Sequence, residues 1–257
     1  MSSTHSLTIS SHLARIDLHR APVNALDQEF VLALTHTARL IAKRKDVWLI
    51  SITSSLPTFC AGADLKERAT LPVHQVASYV QRIQRMVRAW LAIPQPVVVG
   101  IRGAALGGGF EFALAADLIA VSDDALLGFP EVTLGIIPAA GGSQLLSLRT
   151  SRAVASRWLL TGRRFNGREA LADHAVDFAW ADHAFPSAYE DLLASLLSNA
   201  PLALRQAKKA LRGSGTTELN RRFKHERSCY RPLIRTEDRT EALHAFLEKR
   251  SPQWRGR

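Results

Sequence analysis

The chain predicts an α/β fold that gives way to helices toward its C-terminus. Three observations predict it. Short β-branched apolar runs alternate with segments of three-four apolar spacing over roughly the first 150 residues. From Ser151 onward helical spacing dominates, with one strand expected at about Val176 to Ala181. Small-residue turns join strand to helix at three places, around Gly62, Gly107 and Gly141.

Ser6–Ile9 and Leu13–His19 alternate as the arms of a hairpin turning at Ser10-Ser11-His12. Pro22 cannot continue a sheet ladder, and Asn24 suits a turn. Asp27 can cap a helix running to Lys43, with Phe30, Leu34, Thr37, Ala38 and Ile41 on one face. Val47–Thr53 reads as a strand leading into the small-residue loop Cys60-Ala61-Gly62-Ala63, and Asp64 caps the short helix after it. Leu71–Ile93 is a long amphipathic helix whose face includes Val73, Val76, Val80, Ile83, Val87 and Trp90, with Arg82, Arg85 and Arg88 mostly off that face. Pro94 and Pro96 end it.

Val97–Ile101 is a buried strand, and it runs into the central stretch Gly103 to Asp117. Three successive glycines, Gly107-Gly108-Gly109, let the chain turn sharply and let a ligand approach the main chain. They leave the first N–H groups of the next helix free to hold an oxyanion. Glu111 sits one turn into that helix. The spacing is neither a dinucleotide fingerprint nor a phosphate loop. Leu118–Val121 and Leu126–Phe129 are short strands joined at Asp123-Asp124. Glu131 follows the second of them within an apolar run, where a carboxyl is costly unless paired or used. Gly141-Gly142-Ser143 then enters a helix. Ser151–Thr161, Gly167–Leu171, Ser187–Ser198, Pro201–Arg212, Glu218–Arg231 and Thr236–Arg250 read as helices, with Gly213-Ser214-Gly215 as a flexible link.

At 257 residues and 47% hydrophobic content the chain can bury a full core. No run reaches the roughly 18 apolar residues of a membrane span. The first residues lack the order of a signal peptide. Cys60 and Cys229 are far apart, expected to be small buried apolar residues, and fit a reducing cytoplasm. A net charge of +10 favours anionic partners without choosing among them. No His, Cys, Asp or Glu spacing suggests a metal. The histidines and aromatics of Asp173 to Pro186 read as packing.

Taken together, Phe59-Cys60-Ala61-Gly62-Ala63-Asp64-Leu65-Lys66-Glu67, Gly103 to Glu111, and Pro130-Glu131-Val132 with Gly141-Gly142-Ser143-Gln144 resemble the crotonase superfamily in its enoyl-CoA hydratase branch. Asn24-Ala25-Leu26 and the segments Thr236–Glu241 and Ala245–Arg250 extend the likeness over nearly the whole chain. The resemblance implies an α/β spiral of ββα units over residues 1–195, with a C-terminal helical trimerisation region over 196–257. It implies a homotrimer or a dimer of trimers. It implies an oxyanion hole from the backbone N–H groups of Ala63 and Gly108, where loss of one donor costs on the order of 3 kcal/mol. Glu111 is implied as the base that activates water for addition to Cβ, and Glu131 as the acid that protonates Cα. Addition of water needs both.

Coenzyme A is then part of an acyl-CoA thioester substrate, and no separate cofactor is implied. The resemblance places it along Ala61, Ala63, Asp64, Leu65, Lys66 and Gly108, with Phe246 and Lys249 reaching over from a neighbouring subunit. The wording Phe59–Arg68, Cys229-Tyr230 and Lys249-Arg250-Ser251-Pro252 is similar to the methylglutaconyl-CoA hydratases. That likeness singles out Arg82 as a candidate partner for a distal substrate carboxylate, against a plain solvated arginine. Two rivals stay open. One is an enoyl-CoA isomerase using Glu131 alone. The other is a homologue binding RNA through Arg39 and Lys43-Arg44-Lys45, a stretch that lacks base-stacking aromatics.

Overall fold

The computed structural model describes residues 4–212 and 216–256. The expected link Gly213-Ser214-Gly215 lies outside them. The hairpin forms as β1 (His5–Ser10) and β2 (Leu13–Leu18), antiparallel with His5 opposite Leu18. Its turn places Ser11 and His12 in the left-handed region at φ 46° and 67°. Helix α1 (Gln28–Ala42) is capped by Asp27, whose side chain accepts from the Phe30 N–H, and the five residues expected on its inner face are all buried.

Three strand-loop-helix turns then build the spiral. In the first, β3 (Leu49–Ser54) leads to the loop 60–63 and to helices α2 (Leu65–Thr70) and α3 (Val73–Leu91). In the second, β4 (Val97–Ile101) leads to β5 (Ala104–Leu106) and α4 (Gly108–Ala113). In the third, β6 (Leu118–Ser122) leads to β7 (Leu126–Gly128), a short 3-10 turn Pro130–Leu134 and α5 (Gly142–Arg149). Each turn adds a parallel strand to a large sheet and a second piece to a small one. Helix α6 (Arg152–Thr161), strand β8 (Arg164–Asn166), helix α7 (Gly167–Ala172) and strand β9 (Phe178–Trp180) complete the sheets. The large sheet runs β1-β2-β3-β4-β6-β9, and the small one β5-β7-β8, joined by a Cys60–Ala105 bridge.

After β9 come α8 (Phe185–Leu197), α9 (Pro201–Arg212), α10 (Thr216–Tyr230), a 3-10 turn Arg231–Arg235 and α11 (Glu237–Leu247). Strands β5 and β8, each three residues long, had no sequence signal. Val73, expected on the buried face of α3, is exposed because the helix only begins there. Cys229 is also exposed, at the outer side of α10, whereas Cys60 is buried as expected. The aromatics after α7 do pack: Phe178, Trp180, Phe185 and Tyr189 form a chain of ring contacts over the large sheet, edge-on between Trp180 and Phe185, whereas His174 and His183, expected to pack, are exposed. No helix of the described residues is long and apolar enough to cross a membrane.

Candidate active site

The small sheet brings the three junctions together. Leu26 forms a parallel bridge with Ala63: its N–H donates to the Gly62 carbonyl at 2.7 Å, and its carbonyl accepts from the Asp64 N–H at 3.2 Å. In that pattern the ladder straddles Ala63 and turns its own N–H to the other side. Tyr79 fixes the same carbonyl with a hydroxyl donation at 2.7 Å. One layer over, Gly107 has φ 52° and ψ −125°, a conformation open to glycine, and its N–H is taken by the Gly128 carbonyl. Gly108 opens α4, where an N–H has no intrahelical acceptor. The two main-chain segments touch: a Cβ at Gly108 would lie 3.6 Å from the Ala63 nitrogen. A Cβ at Gly109 would lie 2.2 Å from the Cys60 carbonyl oxygen, so only glycine lets α4 start against this loop.

A cavity of about 460 Å³ opens on these donors, lined by Ala61, Ala63, Leu65, Lys66, Gly108, Glu111, Glu131 and Phe246 among others. Most of the remaining wall is apolar, from Val80, Ile83, Leu134, Ile136 and Ile137.

Both glutamates face into it, and both are nearly sealed from solvent, at 3% and 8% exposure. Glu111 is well supplied with donors. Its Oε1 accepts from the Ala140 N–H at 2.8 Å and the Gly142 N–H at 2.7 Å. Burial pushes its pKa up to about 7 in spite of these two bonds. Glu131 stands on the 3-10 turn rather than on a strand end, and Gly107 is cut away to admit it: a Cβ there would lie 2.7 Å from Glu131 Oε1. Its Oε2 is buried and accepts no hydrogen bond from the described residues. Burial first, and the nearby charge of Glu111 second, hold its carboxyl well above the usual range. The pair therefore splits as an acid-base couple should, with Glu111 able to ionise near neutrality and Glu131 keeping its proton.

Other expected residues fall out differently. Asp64 does not line the cavity; its side chain caps α2 through the N–H groups of Lys66 and Glu67. Lys66 is exposed at the cavity rim, and Lys249 is exposed beyond it. Phe246, expected from a neighbouring subunit, lines this chain's own cavity, because α11 packs on the Pro130–Leu134 turn. Arg82 does not line the cavity either: α3 turns Tyr79, Val80 and Ile83 toward it and leaves Arg82 half-buried to one side.

The buried cation of the lining is Arg68, at the end of α2 and 5% exposed, while Lys66 and Arg164 reach the cavity as exposed side chains. It donates to the Tyr230 hydroxyl, its guanidinium lies 5.8 Å from that ring, and its Nε is buried without an acceptor among the described residues. Arg239, on α11 and 4% exposed, flanks the same tyrosine, with Nε and one terminal nitrogen likewise unpartnered. Burial and the charge of Arg68 lower its pKa. The buried guanidinium of Arg68 thus lines the cavity together with Glu131 and acts on its carboxyl, whereas Arg239 lies outside the lining. Among the described residues no cluster of His, Cys, Asp and Glu could hold a metal ion.

A family description, enoyl-CoA hydratase/isomerase, matches residues 8–257. YngF of Bacillus subtilis, which carries an enoyl-CoA hydratase/isomerase name, is 39% identical over 249 residues, 96% of each chain. The mitochondrial methylglutaconyl-CoA hydratase of Mus musculus is 35% identical over 238 residues, 91% of this chain and 76% of that protein. Among solved structures, an enoyl-CoA hydratase from Mycobacterium avium subsp. paratuberculosis superposes with a TM-score of 0.88 at 26% identity, covering 98% of this chain and 99% of the other.

Proposed function

The chain belongs to the enoyl-CoA hydratase/isomerase family, and on that premise we propose that it adds water, syn, across the 2,3 double bond of a 2-enoyl-CoA or runs the reverse dehydration. The observation that carries this reading is the pair of buried carboxyls facing one cavity beside two main-chain N–H groups. The thioester oxygen sits against Ala63 and Gly108, whose N–H groups take up the negative charge as the enolate forms. Glu111 removes a proton from water as its oxygen bonds to Cβ, and Glu131 delivers a proton to Cα on the same face. Coenzyme A arrives as part of the substrate, so the reaction requires no further cofactor. Ala61, Leu65 and Lys66 line its path, and Lys66 suits an anionic phosphate at the rim. The chain works as a trimer or a dimer of trimers in a reducing cytoplasm, and its two unpaired cysteines fit that compartment.

The acyl group we propose is branched and carries a distal carboxylate, as in 3-methylglutaconyl-CoA. What supports it is Arg68, which lines the cavity with a buried Nε that has no acceptor among the described residues, since a buried donor left unmatched is costly and a guanidinium pairs well with a carboxylate. The test is loss of conjugated enoyl-thioester absorbance, with crotonyl-CoA and 3-methylglutaconyl-CoA side by side. Turnover of both, favouring the second, is expected. Absence of any absorbance change with either substrate would refute the hydratase assignment. Preference for crotonyl-CoA would refute the acidic acyl group alone.

A further inference from the structure

The loop that holds Glu111 is itself held by a third buried carboxyl. Glu226 lies on α10, 85 residues away from Gly141, and is 2% exposed. Its Oε2 accepts from the Gly141 N–H at 2.7 Å, and its Oε1 accepts from the Ser143 N–H at 3.1 Å and the Ser143 hydroxyl at 2.5 Å. The four consecutive N–H groups of residues 140–143 therefore alternate. Ala140 and Gly142 donate to Glu111, and Gly141 and Ser143 donate to Glu226. The two sets are interleaved on one short stretch of backbone, so a displacement of residues 141–143 also moves donors of Glu111.

The rest of α10 reinforces this grip. Phe223, one turn earlier on the same face, fills the space where a Cβ of Gly141 would stand, with its ring carbon 2.6 Å from that point. A helix could brace a loop by apolar contact alone. Burying another ionisable carboxyl close to two others is costly, and a carboxyl is retained there against that cost. Two oxygens on one side chain are what the spacing of the Gly141 and Ser143 donors requires.

We propose that Glu226 is a positioning residue for the base: it clamps residues 141–143 so that the interleaved N–H groups of Ala140 and Gly142 aim Glu111 at the attacking water. This rests on the hydratase reading above. The effect is on the chemical step and not on thioester binding, because Glu226 does not line the cavity.

The experiment is a double-mutant cycle on crotonyl-CoA hydration with E226A and E111A, measuring kcat and KM separately. Wild-type hydration is measured first, and its absence would refute the hydratase reading rather than this one. E226A alone is expected to lower kcat by about 10- to 100-fold, with KM within about threefold of wild type. In the E111A background the same substitution should cost less than about twofold, since its object is already gone. If E226A does not yield folded protein, E226Q, which keeps one acceptor oxygen, closes the same cycle. An equal loss in both backgrounds, an unchanged kcat, or a loss confined to KM would overturn the proposal.

Discussion

The two walls of the cavity are built on opposite terms. On the Glu111 wall, donors are in good supply: the carboxylate has two main-chain N–H groups, and the loop that offers them is bonded again to Glu226. On the Glu131 wall, valences are left over: one carboxyl oxygen of Glu131 and the Nε of Arg68 have no partner among the described residues. Buried polar groups are normally satisfied. The difference teaches where preorganisation ends and recognition begins. The proposed base, Glu111, is held by the chain's own donors. The proposed acid, Glu131, and Arg68 keep valences that the described residues do not fill.

Removing either carboxyl gives the largest effect. Glu111→Gln and Glu131→Gln should each lower kcat by about 10²- to 10⁴-fold, read by enoyl-thioester absorbance. A Glu111→Gln protein that still shifts a double bond at near-normal rate would make the chain an isomerase and dissolve the contrast between the walls.

Next in size is Arg68→Met, which removes a charged donor at little change of volume. The ratio of kcat/KM for 3-methylglutaconyl-CoA over crotonyl-CoA should fall by about 10- to 100-fold, the range of a charge-assisted hydrogen bond. An unchanged ratio would mean that the arginine serves Glu131 and not the substrate.

A smaller effect sharpens the assignment of roles. The proposed hydration needs Glu111 ionised and Glu131 protonated. Rate should therefore rise with pH through the Glu111 transition at about 7 and fall at higher pH as Glu131 loses its proton, giving a bell whose limbs belong to the coupled pair. A profile that is flat from pH 6 to 9, measured as kcat/KM, would contradict the division.

The smallest effect concerns stability. Glu131 has its pKa raised on folding, so the unfolded chain releases that proton first and stability declines as pH rises above the ordinary carboxyl value. The slope is at most about 1.4 kcal/mol per pH unit from this one group. Glu131→Gln should remove that part of the slope in denaturant titrations at pH 5 to 8, and leave the protein more stable at the upper end. The activity lost and the stability gained would then come from the same buried carboxyl.

Much of the fold was legible because its signals are local. The caps Asp27 and Asp64, the inner face of α1 and the β-branched run of β4 each sit within one element and declare it. The glycine run at the start of α4 was legible for a steric reason: Gly107 makes the sharp turn expected, while the close approach at Gly109 is by the Cys60 carbonyl of the chain itself. Strands β5 and β8 were not legible: Ala104–Leu106 lies inside the small-residue glycine stretch and Arg164–Asn166 holds a single apolar residue, so neither shows the apolar run that marked the equally short β7 and β9.

The two carboxyls of the site were readable from their surroundings and from the resemblance, but their supports were not. Arg68 sits on a short helix, where an arginine ordinarily faces water. Its meaning comes from Tyr230, 162 residues away. Arg82 drew attention by lying on a long helix near the pocket, but helical phase turns its neighbours inward instead. Glu226 did leave a trace: Phe223, Glu226 and Tyr230 share one helical face at three-four spacing, so a carboxyl lies between two aromatics on the buried side. An acid in that position is a signal for a long-range partner, although nothing in the sequence says which.

The stereochemistry of hydration tests the central claim most directly. Two carboxyls on one face of the bound enoyl group must deliver both parts of water to that face. With crotonyl-CoA in heavy water, proton NMR of the 3-hydroxy product should show one deuterium at Cα, syn to the new hydroxyl, in a single diastereomer. An anti product, or label scrambled between the two Cα positions at early conversion, would contradict the arrangement of Glu111 and Glu131 about a single acyl chain.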